Sequence, residues 1–416
     1  TQQAANGSNA QGVSLNVGVT VTTTTGDISI TGDASATTLG GAAIGVNLSG
    51  TVQSTNGGAI TITGTGGSAR GHWGIQVNAA NVLANSGAIS LTGSDSSTDI
   101  YWTSANSYFG YYDVTGSAVR TSTSTITINA DKPVLNTNKF QSSGTLAILP
   151  RTTGTTIGMA GGAGTMQLPA SLFASDSTRG VTNGFTSITV GNATAGAITI
   201  GNGTTQTLTL NDATTLKTNS TISGTTTTTL TATESLTLQS NGAISLAGPV
   251  SVTGQTSLTA GSSNNISLTN GTNNFTGAVS VVSGKDVSLR DTNALDLGAS
   301  TVSGNLTLES GAALTQSGAL TVTGTTGITA GSNDVTLANA TNNFTGAVSI
   351  VSGANVSIKD ANSLTLGSTA ASGDLNVEAG GGDLTLSGNI TKSSGGDATA
   401  TLKATGSVVQ NSGAPI

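Results

Sequence analysis

Cysteine is absent from these 416 residues, so no disulfide can staple the fold. The absence does not by itself name a compartment. It does suit a chain that crosses an outer membrane unfolded, where a periplasmic disulfide would jam a loop in the pore. Charge is equally scarce: Asp, Glu, Lys and Arg make up 7% of the chain, against about 25% in ordinary soluble domains. The 12 Lys and Arg are scattered from Arg70 to Lys403 and the net charge is -7. A phosphate-binding footprint gathers its basic residues on one face, so nucleic acid is excluded as a partner class. No run of 18 apolar residues occurs, so no helix is expected to insert in a bilayer. The opening TQQAANGSNA has no charged stretch followed by an apolar one, so a signal peptide is expected to be removed or to lie outside these residues.

What is present is glycine (59 residues) with Thr, Ser, Asn and Ala. Low charge argues against the common compositional route to disorder. Apolar residues at 35% and a mean hydropathy of +0.10 suffice for a core. Most of them are Ala, Val, Ile and Leu, so that core is thin.

Repeats organise the chain. NNFTGAVSVVSG from Asn273 returns as NNFTGAVSIVSG from Asn342, an offset of 69 residues between Phe275 and Phe344. Within it, short apolar-polar-apolar runs such as Val287-Ser288-Leu289 and Leu306-Thr307-Leu308 recur between Gly, Asn, Asp and Ser, the signature of half-buried strands. An earlier form reads Gly58-Ala59-Ile60-Thr61-Ile62, then Gly87-Ala88-Ile89-Ser90-Leu91 and Gly196-Ala197-Ile198-Thr199-Ile200. Strand starts fall 8 to 11 residues apart in the sequence, so three strands are expected per coil of about 23 residues and three coils per long repeat. A sandwich array would show units near 100 residues with large core side chains. The expected fold is therefore all-β, a parallel β-helix of roughly 18–20 coils, a rod on the order of 90 Å at the spacing of paired strands. Inward Ile and Val would stack, outward Thr, Ser and Asn would form ladders, and Gly and Asn would take the corners.

Three parts are expected: an N-terminal β-helical part over 1–130, an irregular join over 131–185 containing Pro133, Pro150 and Pro169, and a β-helical part over 186–416. A short helix is expected around Ser171 to Ala174.

The GAITITG, GAISLTG and AGAITIG runs, the module from Leu168 to Thr205 and the NNFTGAVS repeat resemble the passenger region of large exoproteins of the filamentous haemagglutinin type, exported by two-partner secretion. The resemblance implies a right-handed parallel β-helix, extracellular at the surface of a Gram-negative cell, in adhesion, aggregation or biofilm matrix. The family's amino-terminal secretion domain is not found in these residues, so an internal segment or a mature product of a longer precursor is expected.

DIYWTSANSYFGYYD, residues 99–113, holds six of the 12 aromatic side chains. It reads as a loop thrown out between regular strands. Asp99, Tyr101, Trp102, Tyr108, Phe109, Tyr111, Tyr112 and Asp113, with nearby Trp73, are the candidate contact residues. One reading is a carbohydrate platform of flat aromatic faces with hydroxyl and N–H handles. The other is a self-packed mini-core closing the insertion onto the helix wall. His72, the single histidine, reads as a structural corner residue, since a metal site wants convergent ligands.

No grouping of carboxylates has a spacing that marks a glycosidase or lyase, so no catalytic residue, metal or cofactor is assigned. Asp286, Asp291 and Asp296 recur only as Asp360 and read as solvated turns. Gly380-Gly381-Gly382-Asp383 lacks a continuing calcium-binding nonapeptide, and Gly161-Gly162-Ala163-Gly164 lacks the Lys-Ser/Thr of a phosphate loop. The expected function is a non-enzymatic structural shaft of a surface adhesin or biofilm-matrix protein, its partners surface glycans or a host or neighbour-cell surface. The alternatives are a fibre subunit associating end to end and a polysaccharide-active β-helix.

Overall fold

The Ile-rich runs fold as short strands, each pairing in parallel with its next occurrence, so that like residues stack. Ile28 pairs with Ile60, Ile60 with Ile89, Ile89 with Ile126 and Ile126 with Leu146, and all five are buried. Side chains alternate across a strand, so Ser29, Thr61, Ser90 and Thr127 make a row on the other face. The computed structural model describes residues 9–36, 41–68, 72–102, 108–110, 122–135, 139–174, 180–182, 184–393, 397–411 and 413. Their strands pair in parallel throughout, a parallel β-helix. One helical turn, Ala170–Phe173, packs Leu172 and Phe173 inward.

The chain divides into two compact units, Thr1–Ser220 and Thr221–Ile416. The division falls at Ser220, past the stretch 131–185. Strands Pro133–Val134, Lys139–Gln141 and Thr145–Leu149 continue the sheets of the preceding rungs. The prolines do not interrupt them, because Pro133 opens its strand and Pro150 follows one, positions where no ladder N–H is lost.

In the first unit the early rungs take about thirty residues, as the pairs Ile28–Ile60 and Ile60–Ile89 measure. Sheet A holds Asn9–Leu15, Ala42–Leu48, Trp73–Val77, Thr98–Trp102 and Pro133–Val134. Sheet B holds Thr20–Thr23, Thr51–Ser54, Asn81–Ala84, Tyr108–Gly110, Lys139–Gln141 and Gly180–Val181. Sheet C runs from Ile28–Asp33 to Thr214–Lys217. Sheets A and C approach through glycine. A Cβ on Gly32 would overlap the Gly45 carbonyl oxygen, and one on Gly64 the Gly74 carbonyl oxygen. That is why Gly32, Gly64 and Gly93 follow the runs Ile28–Thr31, Ile60–Thr63 and Ile89–Thr92 in this unit.

In the second unit a rung takes about twenty residues, as in Leu236–Thr256 and Val287–Leu306. Two long sheets alternate along the chain: sheet D, which includes Ile266–Leu268, Val287–Asp291, Leu306–Ser310 and Thr326–Thr329, and sheet E, which includes Leu295–Leu297, Leu314–Gln316, Val335–Leu337 and Val356–Asp360. Ile266 of sheet D has its 69-residue counterpart, Val335, on sheet E, after three further strands of sheet D have passed. The repeat is therefore three and a half rungs rather than three whole coils, and equivalent residues fall on alternate sheets. Counted on sheets C and E, the described residues make seven and nine rungs, fewer than the expected 18–20 because the early rungs are longer.

The Asn-Asn-Phe motif ends a third, short sheet in each repeat. Asn274–Phe275 closes a side sheet with Val250–Val252, and Asn343–Phe344 closes one with Leu320–Val322. The Phe275 N–H, left without a further strand, donates to Asp291 Oδ2 at 3.0 Å, and the Phe344 N–H donates to Asp360 Oδ2 at 2.7 Å. Each carboxylate also accepts from its own turn, Asn293 N–H at 2.9 Å and Asn362 N–H at 2.8 Å. Asn273 and Asn342 serve the preceding rung, their Oδ1 atoms accepting the Val250 and Leu320 amides at 2.9 Å. Asp291 and Asp360 are 1% and 0% exposed, so they are not the solvated turns expected. Burial pushes both carboxyls above the ordinary 3.8, against the amide hydrogen bonds that pull them down. Of the other two aspartates, Asp286 and Asp296 are half-buried.

Candidate contact surface around Trp73 and Tyr101

Where it is described, at 99–102 and 108–110, the aromatic-rich stretch is coil wall. Thr98–Trp102 is the fourth strand of sheet A, and Tyr108–Gly110 is the fourth strand of sheet B. The alternation of these strands divides their aromatics between two environments.

Phe109 and Trp102 face the core, 1% and 2% exposed. Phe109 stands in register between Val82 and Phe140. Trp102 meets the edges of both rings, at 5.1 Å and 86° to Phe109 and at 5.6 Å and 89° to Phe140, the edge-to-face geometry aromatic rings favour. Phe140 was not singled out from the sequence. Its signal was there, an aromatic 31 residues after Phe109, close to the rung length.

Trp73 and Tyr101 are half-buried on sheet A. Their rings stack with centroids 4.9 Å apart and planes at 11°, although the register pairs Trp73 with Thr98 and Tyr101 with Gln76. Tyr101 belongs to a row in register: Ser14, Asn47, Gln76, Tyr101 and Val134. Asn47 Nδ2 donates to Ser14 Oγ at 3.4 Å. Val134 also lines a groove of about 280 Å³ with Pro133, Leu135, Gly161, Gln167 and Pro169. The stack takes one face from each ring, and the pair stands beside the amide side chains of Asn47 and Gln76 in that row.

Asp99 is 1% exposed and occupies the rung position that Gly45 and Gly74 hold before it. Its Oδ1 accepts the Asp95 amide at 2.8 Å, and its Oδ2 accepts the Lys132 amide at 2.9 Å and the Asp131 amide. Those atoms are committed to backbone and not aimed at a ligand. Lys132 Nζ in turn donates to the Ser96 carbonyl at 2.6 Å. Asp131 accepts the Arg151 and Thr152 amides, both at 2.9 Å, with the hydroxyls of Thr152 and Thr155. Burial works to raise the Asp131 carboxyl, but these hydrogen bonds outweigh it and hold the group below the ordinary 3.8.

His72 is fully buried beside this region, and its carbonyl accepts the Ser97 hydroxyl at 3.0 Å. Tyr108 pairs with Asn81 and Lys139 through its backbone. Tyr111, Tyr112 and Asp113 lie outside the described residues. Among the described residues, no three His, Asp or Glu side chains gather where they could hold a metal ion. The structure thus brings Trp73 and Tyr101 together on one face, and Trp102 and Phe109 together in the core.

Three consecutive segments, 218–282, 284–351 and 353–414, match a family model described as "Repeats of unknown function (DUF5649)". The first two matches each carry the Asn-Asn-Phe motif near their ends. No curated protein matches the chain, and no solved structure does.

Proposed function

We propose that this chain is the β-helical shaft of a bacterial surface adhesin or biofilm-matrix protein, non-enzymatic and held outside a Gram-negative cell. The observation that carries the reading is the use made of its acids. The buried aspartates Asp99, Asp131, Asp212, Asp291 and Asp360 each accept a backbone N–H from their own or another rung. Carboxylates fixed in this way hold coil to coil and are withdrawn from acid-base work. Repetition supports the same reading, since stability in a solenoid sums over neighbouring units and lengthens the structure without needing a large core. The resemblance to filamentous haemagglutinin-type exoproteins adds the cell surface. The Trp73–Tyr101 face, with its amide row, is the contact patch, and its partners are glycans or a neighbouring cell surface.

The test is adhesion. Beads coated with the 416-residue chain should bind cells or immobilised polysaccharide, and beads carrying W73S/Y101S should bind several-fold less while the chain keeps its β signal. Depolymerisation of a polysaccharide by the purified chain would overturn the non-enzymatic reading. Equal binding by both bead types would remove the patch from its role.

A further inference from the structure

Four corners of the solenoid share one local geometry, Asn-x-Thr with the threonine folded back on the asparagine. At Asn192, Asn202, Asn270 and Asn339 the side-chain oxygen accepts both the amide and the hydroxyl of the threonine two residues on. This is an Asx turn closed by a hydroxyl, and it shapes the corner whatever else it does. The four differ in what happens to the side-chain nitrogen. Asn192 Nδ2 donates to the Pro150 carbonyl at 3.0 Å, and Asn270 Nδ2 donates to the Ala247 carbonyl at 2.9 Å. Asn339 is half-buried.

Asn202 stands apart. It is exposed, as are Gly203 and Thr204. Its Oδ1 takes three donors: Thr204 Oγ1 at 2.6 Å, Thr204 N–H at 3.1 Å and Gln206 Nε2 at 3.2 Å. Nδ2 lies beside Gly161, where an added Cβ would come within 2.8 Å of it, so a glycine there leaves the carboxamide room. Gly203 has φ +88 and nothing within 4 Å of where its Cβ would be. Donors crowding the oxygen draw electron density from the carboxamide and make the Nδ2 protons more acidic, which favours transfer to that nitrogen.

We infer that Asn202, in Asn202-Gly203-Thr204, is a site of N-linked glycosylation, with a sugar diphosphate ester as donor. In the transfer, Nδ2 forms a bond to the anomeric carbon of the sugar. The bond from that carbon to the diphosphate oxygen breaks, the diphosphate departs with the electron pair, and a base of the transferase takes one Nδ2 proton. The side chain stays a neutral carboxamide, and Oδ1 keeps its Thr204 hydrogen bonds.

Trypsin cuts after Arg179 and Lys217, so a single peptide carries both Asn192 and Asn202. Fragmentation of that peptide, taken from the chain as its own cells produce it, separates the two. The expected result is a sugar increment on Asn202 with Asn192 bare, lost in N202Q and in T204A and retained in T204S, which keeps the hydroxyl. A one-hexose increment identifies a nucleotide-linked donor, and a preassembled oligosaccharide a polyprenyl-linked one. An unmodified peptide, or an increment on Asn192 or Asn270 in place of Asn202, would overturn the assignment.

Discussion

Asp360 accepts the backbone N–H of Phe344, sixteen residues earlier, at 2.7 Å, and Asp291 does the same for Phe275 at 3.0 Å. In each repeat the carboxylate stands where the carbonyl of another strand would have been. It thereby closes the edge of a side sheet that would otherwise offer unpaired backbone. Replacing Asp360 by Ala leaves the Phe344 and Asn362 amides without that acceptor, and buried unsatisfied donors cost about 1–3 kcal/mol. Urea unfolding of the full chain should show that loss, and a variant as stable as the parent would sink the edge-closing role.

Acid should act oppositely on the two units. Asp291 and Asp360 have folded pKa values raised by burial above 3.8. Their contribution is fully present below 3.8 and is lost as pH rises through the folded values. Asp131 is lowered, so its contribution is present above 3.8 and lost as pH falls through its folded value. Native-state hydrogen exchange, corrected for intrinsic rates, should show the second unit gaining protection from pH 7 toward pH 4. The first unit gains nothing there and weakens at still lower pH. Removing the acid-linked gain with D291N/D360N tests the assignment to these two groups, and parallel slopes in the two units would contradict it.

Thr256 and Thr326 face the core in register with Leu236 and Val279, and with Leu306 and Val348. Their hydroxyls are buried without a partner. Valine has nearly the same shape and no polar atom to desolvate, so T256V and T326V should each stabilise by about 1 kcal/mol. A loss of stability in thermal melts would show that a hydrogen bond had been removed.

Gly64→Ala should cost about 3 kcal/mol or more, since the new Cβ would overlap the Gly74 carbonyl oxygen. Gly327→Ala is the comparison: it lies in a strand with nothing within 4 Å of its Cβ position, so it should be neutral or slightly stabilising. Equal effects at the two sites would refute the close approach of sheets A and C.

Trp102→Ala or Phe140→Ala should cost about 3–5 kcal/mol each, as emptied aromatic positions do in cores. W73S and Y101S remove half-buried rings and should cost far less. If Trp73→Ser melts as low as Trp102→Ala, the Trp73–Tyr101 pair is core and the proposed contact patch has no basis.

The parallel stacking was legible because short apolar-x-apolar runs recur along the chain between Gly, Asn and Ser, and period two fixes which residue turns inward. The 69-residue repeat was legible as an identity of sequence but not as a geometry. Nothing in the strings around Ile266 and Val335 says that they lie on different sheets, because both sheets ask for the same inward apolar residue. Asp291 and Asp360 misled for a related reason: an aspartate between polar neighbours reads as a turn in water, and only pairing across rungs shows that its oxygens replace a missing strand. Among the aromatics, composition marked the cluster. Separating Trp102 and Phe109 from Trp73 and Tyr101 required knowing that residues 98–102 and 108–110 are strands on two sheets.

The half-integral repeat has a hereditary consequence. Tandem copies of one gene segment are gained and lost by recombination between them. Here a single gain would carry every following copy of the pattern onto the other long sheet, while a paired gain would restore it. A lineage that keeps a function on one face of the second unit should therefore vary its copy number in twos.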